Sequence, residues 1–396
     1  MSLARLQLKP KADRRLKQGH LWIYSNEIDI AKTPLKNLQI GEQAEIVSDT
    51  DKVLGVAVVN PNGLICARLI SRDNKHLLNK SLLVQRINQA KSLRELNFAD
   101  PYYRLVYGDS DLLPGLIVDR FGDTLVVQIA SAGMEVVKQE IVDALDQCLR
   151  PKGILIKNDH SARELENLPL YTESLGEVTN TVELVENSVK FIAPIVEGQK
   201  TGWFYDHRCN REYLQKICKG KRVLDIFSYV GGWGVQAAVA GATDVTCIDA
   251  SEFALDIAFE NAKLNGVEDK LRMLEGKAVP ALKALIEEGE KFDVVVLDPP
   301  AFIKRKKDQK SGEAAYYHVN ELAIRLLNRD GVLVSASCSM HMAEEKLIDT
   351  IRSASRHLDR QSQIFYRGCQ GPDHPVHPAI PETNYLKALF ARVYRV

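Results

Sequence analysis

The sequence predicts an α/β chain whose larger, C-terminal part is a parallel sheet with helices between its strands, preceded by a small β-barrel and a small α+β segment. Three observations carry this. From residue 186 onward, apolar runs of strand length alternate with helix-length periods to the end of the chain, which is the pattern of a parallel sheet. The first ~70 residues instead hold short strands punctuated by turns. Two of the later runs, Val294-Val295-Val296-Leu297-Asp298-Pro299-Pro300 and Val332-Leu333-Val334-Ser335-Ala336-Ser337-Cys338-Ser339, each end on one reactive group. The carboxyl ends of parallel strands open into the ligand crevice, so a carboxylate and a thiol placed there converge on one substrate.

The 396 residues divide most naturally into three parts, 1–72, 73–185 and 186–396. A hydrophobic content of 45% with 26% charged residues is that of a globular chain. No apolar run approaches the ~18 residues that cross a bilayer, and the first residues lack the apolar core of a secretion signal. A cytoplasmic protein without a membrane partner is expected. The seven cysteines are scattered with no CxxC pair, so neither a disulfide framework nor a zinc site is indicated. Lysine plus arginine equals aspartate plus glutamate at 52 each, so a nucleic acid would have to be gripped by a local basic patch.

In chain order, residues 41–47, 53–59 and 64–70 read as barrel strands, with Asn60-Pro61-Asn62-Gly63 as the turn between two of them. Ahead of them Lys9, Lys11, Arg14, Arg15 and Lys17 lead into Gly19-His20-Leu21-Trp22-Ile23-Tyr24. Two readings of that segment stand side by side: a phosphate-holding and base-stacking surface, or a solvated helix face followed by a core strand. A helix is expected from about Lys75 to Leu96, a strand at 125–129, a helix at 134–149 and a strand at 154–157. Asp109, Asp111 and Asp119 lie among turn residues, where local hydrogen bonding accounts for them better than a metal does. His318, His341, His374 and His377 are too dispersed to argue a metal site.

The segment Arg222-Val223-Leu224-Asp225-Ile226-Phe227-Ser228-Tyr229-Val230-Gly231-Gly232-Trp233-Gly234 reads as an apolar strand ending in Asp225, a small-residue turn and the start of a helix. Glycines there let a ligand approach the backbone. The next strand, residues 245–249, ends on Asp249, placed to accept the ribose hydroxyls of an adenosine-containing cofactor. A nicotinamide dinucleotide fits such a turn as well. The turn lacks the full GxGxxG spacing that cradles a pyrophosphate, however, and it is coupled to Asp-Pro-Pro and Ser-Cys-Ser on later strands, which favours S-adenosylmethionine.

With these residues on the page, the chain resembles the ribosomal RNA large-subunit methyltransferase I family, whose members make 5-methylcytosine. The resemblance spans nearly the full length. Gly19-His20-Leu21-Trp22 is similar to the family's amino-terminal PUA domain, and Gly108-Asp109-Ser110-Asp111-Leu112-Leu113-Pro114-Gly115 to its central domain. Lys200-Thr201-Gly202, Asp206, Arg208, Phe227-Ser228-Tyr229, Gly231-Gly232, Asp298-Pro299-Pro300, Ser337-Cys338-Ser339, Asp373-His374-Pro375-Val376 and Tyr385-Leu386-Lys387 are similar to its catalytic part. The resemblance implies a class I Rossmann-like methyltransferase domain behind a PUA-like barrel and a small central α+β domain. It implies S-adenosylmethionine held by Thr201, Phe204, Asp225, Ser228, Gly231, Gly232, Asp249 and Asp298, with large-subunit ribosomal RNA as partner and a homodimer as one allowed assembly. Two departures stand out: Ala301 follows Pro300 where many relatives carry Lys, and Leu274-Glu275-Gly276-Lys277-Ala278 lacks the acid that often meets the adenine amino group.

The chemistry implied is a thiolate adding at C6 of cytosine so that C5 becomes nucleophilic, with Cys338 as the thiolate. Asp298 would hold N3 of the base and help neutralise the charge that builds there, on a backbone stiffened by Pro299-Pro300. The general base for loss of the C5 proton is not legible. Lys304-Arg305-Lys306-Lys307 and Lys310 form the strongest basic run, placed either to hold substrate phosphates or as an exposed loop without a partner. The rival functions are a base N-methyltransferase, which needs no cysteine, and an RNA-binding assembly factor with a decayed site, against which Asp249 and Asp298 both speak.

Overall fold

The computed structural model describes residues 3–396. They divide into two compact units, the first made of residues 3–182, 194–203 and 372–383, the second of 183–193, 204–371 and 384–396.

The first unit begins with β1 (Ala4–Gln7), the short helix α1 (Arg14–Lys17), β2 (Trp22–Tyr24), β3 (Gln43–Val47), β4 (Val53–Val59) and β5 (Ile65–Ser71). These strands make one sheet in the order β1-β3-β4-β5-β2, parallel only between β1 and β3. The turn at 60–63 closes as its residues suggest, with Asn60 Oδ1 accepting the Asn62 N–H at 3.2 Å. Leu6, Ile23, Ile46, Cys66 and Leu69 fill the interior, and Ile380, from the returning segment 372–383, is fully buried among them. In the basic segment Leu16 and Ile23 are buried, Arg14 and Lys17 are exposed, and Arg15 both pairs with Glu27 at 2.8 Å and lies over the Tyr24 ring.

The second sheet of this unit follows α2 (Lys80–Glu95), whose first turn is capped by Asn79 accepting the Leu82 N–H. It contains β6 (Tyr102–Tyr107), β7 (Leu116–Phe121), β8 (Thr124–Ile129), β9 (Gly153–Asn158) and β10 (Tyr171–Gly176), in the order β10-β9-β8-β7-β6. The helix expected at 134–149 is two helices, α3 (Ala132–Val136) and α4 (Lys138–Leu149), because Val137 leaves the helical region at φ −102°, ψ 26°. The short α3 is pinned where Gly133 meets Val58: a Cβ on Gly133 would stand 2.4 Å from the Val58 Cβ. The three central aspartates are spoken for, Asp111 by a two-pronged pair with Arg94, Asp119 by one with Arg104, and Asp109 by the Trp22 indole N–H at 2.9 Å.

The second unit opens with β11 (Val182–Glu186) and β12 (Val189–Ala193), a two-stranded ribbon. Then come α5 (Arg208–Gln215), β13 (Arg222–Ile226), α6 (Gly232–Val239), β14 (Asp244–Asp249), α7 (Glu252–Leu264), β15 (Leu271–Glu275), α8 (Ala278–Glu287), β16 (Phe292–Leu297), α9 (Gln309–Leu326), β17 (Leu327–Ser337), α10 (Glu344–His357), β18 (Gln361–Gly368) and β19 (Lys387–Tyr394). Seven strands form one sheet in the order β15-β14-β13-β16-β17-β19-β18. The first five are parallel, and β19 runs antiparallel to both neighbours. The sheet is buried on both faces by helices, which is why β13 and β16 read as continuous apolar runs. From β13 the chain builds outward to β14 and β15, then returns to add β16 on the other side. In open α/β sheets such a reversal marks where ligands bind, here at the carboxyl ends of β13 and β16. No helix among the described residues is long and apolar enough to cross a membrane.

Candidate active site

Four adjacent strands of the second unit deliver their carboxyl ends to one edge of the sheet. Asp225 comes from β13, Asp249 from β14, Asp298 just past β16 and Cys338 just past β17.

Between β13 and α6 the backbone takes left-handed conformations at Phe227 (φ 65°), Tyr229 (φ 48°) and Gly231 (φ 80°). Left-handed non-glycine residues are uncommon and cost of order 1–3 kcal/mol each, and they persist where the surroundings force them. The surroundings here are acidic. Asp249 accepts the Tyr229 N–H on Oδ2 at 2.8 Å and the Ser251 N–H on Oδ1 at 3.0 Å, while Asp225 Oδ2 accepts the Gly234 N–H at 2.8 Å. Asn261 ties the loop from α7 by donating to Val230 O at 3.0 Å. At Gly231 a side chain would collide with Val235 and Ala258, and at Gly234 a Cβ would stand 2.5 Å from Cys247 Sγ. Phe204 packs edge-on against Tyr229, 5.4 Å between ring centres.

Two polar atoms of this loop find no protein partner among the described residues: the buried Ser228 hydroxyl and Asp225 Oδ1. Burial pushes the Asp225 carboxyl up to about 8, against the Gly234 hydrogen bond and helped by the charges of Asp298 and Asp249. A strained loop with orphaned acceptors beside three carboxylates is the environment a polar, positively charged ligand completes.

Asp298 is gripped from both sides. His207 Nε2 lies 3.2 Å from Oδ1 and the Trp233 Nε1–H donates to Oδ2 at 3.0 Å, with the two rings packed 5.1 Å apart. Burial works to raise this carboxyl, but His207 and the Trp233 N–H outweigh it and hold it below the ordinary carboxylate value. Behind this pair lies a buried network in which Glu186 takes Arg211, Arg208 and Gln236, while Arg211 also donates to Phe204 O at 2.6 Å. The Asp206 carboxylate accepts the Tyr385 hydroxyl at 2.5 Å.

Cys338 is half-buried, its Sγ 3.8 Å from the carbonyl oxygen of Pro299 in the Asp-Pro-Pro turn. The turn that carries it is fixed by a chain of hydroxyls, Ser337 to Tyr316 to Ser339, and by Lys387 donating to Ser339 O and Tyr385 O at 3.0 Å each. Of the other six thiols, Cys66, Cys218 and Cys247 are buried, Cys148 and Cys209 are half-buried like Cys338, and Cys369 is exposed. Burial drives Cys66 and Cys218 up to about 12 and Cys247 well above the ordinary thiol value. Such sealed thiols are small hydrophobes, not nucleophiles.

Of the residues picked out from the sequence, Phe204, Asp225, Ser228, Gly231, Gly232, Asp249, Asp298 and Cys338 all belong to this unit. Thr201 belongs to the first unit, where its hydroxyl donates to Asp119 Oδ2 at 2.6 Å. Glu275 stands opposite Asp249 in the β14–β15 register and is exposed. His207, Trp233 and the Glu186–Arg211 pair were not assigned roles from the sequence. Their only linear signal is proximity to Asp206 and to the glycine turn, because they meet Asp298 through folding alone.

Comparison with known proteins agrees with this geometry. A family model described as S-adenosylmethionine-dependent methyltransferase matches residues 170–357, and one described as PUA-like domain matches 6–72. The chain is 36% identical to the ribosomal RNA large subunit methyltransferase I of Tolumonas auensis over 97% of its length and 98% of that protein's. It is equally identical to that of Aliivibrio fischeri, over 96% and 97%, and 34% identical to that of Erwinia tasmaniensis, over 98% and 99%. Among solved structures, SMU.776 in complex with SAH superposes with a TM-score of 0.84 at 22% identity, covering 98% of this chain and all of that one. A SAM-dependent methyltransferase from Agrobacterium tumefaciens gives 0.53 at 20%, covering 76% and 92%. At those identities the likeness is one of fold.

Proposed function

This chain belongs to the ribosomal RNA large subunit methyltransferase I family, and from that premise we propose that it methylates C5 of a cytosine in large-subunit ribosomal RNA through a covalent adduct with Cys338. The coarser activity, S-adenosylmethionine-dependent methyl transfer to ribosomal RNA, follows from full-length kinship and from the methyltransferase model over 170–357.

S-adenosylmethionine supplies a methyl carbon activated by a sulfonium. The residues that would hold it are Asp225, Ser228, Gly231, Gly232 and Asp249, with Phe204 against the loop and Asp298 at its rim. The orphaned Ser228 hydroxyl and Asp225 Oδ1 fit a ligand rich in donors and positive charge.

C5 of cytosine is a weak nucleophile until a thiolate adds at C6. Cys338 is the thiol placed for this, since it stands at the open end of β17 beside the turn that presents Asp298. Asp298, a carboxylate held below its ordinary value, accepts from the amino group beside N3 and orients the base, and N3 takes a proton from solvent as charge develops there. Loss of the C5 proton then expels Cys338. The base must leave its stack to reach these groups, which costs a few kcal/mol and favours a loop or single strand. The exposed Lys304, Arg305, Lys306, Lys307 and Lys310 would offset this by holding phosphates, and the PUA-like barrel supports RNA as the partner.

The observation that carries the proposal is the placement of Cys338: a half-buried thiol at the crevice edge, in a chain whose Cys66, Cys218 and Cys247 are sealed. The test is a substrate RNA containing 5-fluorocytidine, in which the fluorine cannot leave as a proton does. Wild-type protein with S-adenosylmethionine should form an adduct that survives denaturing electrophoresis, and Cys338→Ala should not. Retained methylation in Cys338→Ala, without an adduct in wild type, would point instead to methyl transfer onto a ring or amino nitrogen.

A further inference from the structure

We propose that Lys387 is the counter-charge of Cys338: its half-buried ammonium, tied across the Ser337-Cys338-Ser339 turn, stabilises the thiolate that attacks the base. The inference rests on the reading of Cys338 as the nucleophile.

β17 and β19 run antiparallel with Ser337 opposite Lys387, so the lysine leaves β19 beside the last residue before the thiol. Its side chain then turns toward the open end of β17. Nζ donates to Ser339 O and to Tyr385 O, each at 3.0 Å, which sets the ammonium against the carbonyl one residue past Cys338. Sγ itself lies 3.8 Å from Pro299 O, an acceptor that suits a thiol and not its anion. A thiolate there needs a positive neighbour.

A lysine withdrawn from water is ordinarily paired with a carboxylate. Lys387 forms no ion pair among the described residues. The acid that acts on it, Glu344 at the start of α10, is engaged by Arg367 of β18 at 3.0 Å. Burial accordingly pulls the Lys387 amine below its ordinary value, and the charge of Cys338, ahead of that of Glu344, opposes the pull. Coupling between two titrating groups is mutual. A sulfur anion that helps Lys387 keep its proton is itself held in the charged form by Lys387.

The other groups around the turn do not supply this charge. Tyr316 from α9 is a neutral hydroxyl, bonded to Ser337 and Ser339, whose proton burial holds more firmly. Asp298, at the head of the Asp-Pro-Pro turn, is negative and faces His207 and the Trp233 N–H, while His341 lies just past the Ser-Cys-Ser turn. With Arg367 spent on Glu344, Lys387 is the cation of this set that persists where thiols ionise.

In the reaction the Cys338 proton passes to solvent, the sulfur pair forms the S–C6 bond, and the displaced ring electrons reach N3, which takes a proton from solvent. Once C5 has taken the methyl group, loss of its proton re-forms the C5–C6 double bond and breaks S–C6, returning the thiolate to Lys387. Lys387 makes no covalent bond and acts through Cys338.

Two titrations of the protein without RNA test this. Alkylation of Cys338 by iodoacetamide is read on the tryptic peptide 330–346, where it is the single cysteine. In Lys387→Gln the midpoint of its pH profile should rise by about one unit, a roughly tenfold slower reaction at neutral pH, with the same plateau at high pH. Lys387→Arg should keep the wild-type midpoint. An unchanged midpoint in Lys387→Gln, with or without a changed plateau, would overturn the proposal, since a merely structural tie alters access to the thiol and not its ionisation. The reciprocal titration leaves Lys387 in place and so covers a Gln variant that does not fold. In Cys338→Ala the Lys387 amine, followed by acetic anhydride labelling, should lose its proton at lower pH than in wild type; equal midpoints would overturn the proposal. Methylation of a ribosomal RNA fragment by Lys387→Gln should fall about tenfold at neutral pH and recover as pH rises, and an equal loss at every pH would overturn the role. Neither titration depends on which atom is methylated, so a failure of the C5 reading, seen as full activity in Cys338→Ala, is distinguishable from a failure here.

Discussion

Asp225 shows how far burial alone can carry a side chain from its solution chemistry. In an unfolded chain its carboxyl ionises near ~3.9, whereas in the fold burial, with the nearby Asp298 and Asp249, pushes it up to about 8. Between those values the folded protein holds a proton that the unfolded chain has released. The resulting stabilisation is complete below about pH 4 and is lost as pH rises through about 8, on the order of a few kcal/mol. Without cofactor, wild-type protein should therefore lose thermal stability between about pH 5 and pH 9 more steeply than Asp225→Asn. Parallel melting curves in the two proteins would refute the assignment. The acid itself was legible in the sequence as the end of an apolar strand; the altered proton affinity was not, since it arises first from burial and then from Asp298 and Asp249, which adjoin it only in the sheet.

Helix α6 illustrates the same division at the level of elements. The glycines after β13 announce a close approach, and the sequence places that approach at Gly231 and Gly232 on the ligand side. The structure adds Gly234, whose missing Cβ lets the helix sit directly on Cys247 and Asp225. Gly234→Ala should destabilise the protein by about 1–3 kcal/mol, the usual cost of overpacking, as read by urea unfolding. Adding Cys247→Ala should recover part of the loss by removing the sulfur that stands 2.5 Å from the new methyl; a double variant no more stable than Gly234→Ala would place the strain elsewhere. Strands were the more readable elements, because β13, β14, β16 and β17 carry their apolar runs openly. The division of 132–149 into α3 and α4 was hidden, because the packing of Gly133 on Val58 that pins α3 joins residues far apart in the chain.

For the molecule as a whole, charge decides how RNA is gripped. Formal net charge is +0, so association cannot rest on overall attraction and depends on local runs. Replacing exposed Lys304, Arg305 and Lys306 by alanine should weaken RNA binding and flatten its dependence on salt by about 2 in log–log slope, ~0.7 for each single-strand phosphate that is no longer neutralised. Affinity for S-adenosylmethionine should stay the same, and an unchanged salt slope would remove this loop from the RNA path. The sequence by itself determined the α/β class, the barrel ahead of it and the order of apolar strands, since periodicity and turn chemistry are local and each strand carries its own pattern. It also set the reactive residues at strand ends, because a parallel strand exposes whatever follows its apolar run. Tertiary structure alone decided which of those residues stand on adjacent strand ends, which thiols are sealed, and that His207 and Trp233 converge on Asp298. Such contacts join residues remote in sequence, and their energies depend on burial and direction that no linear pattern encodes.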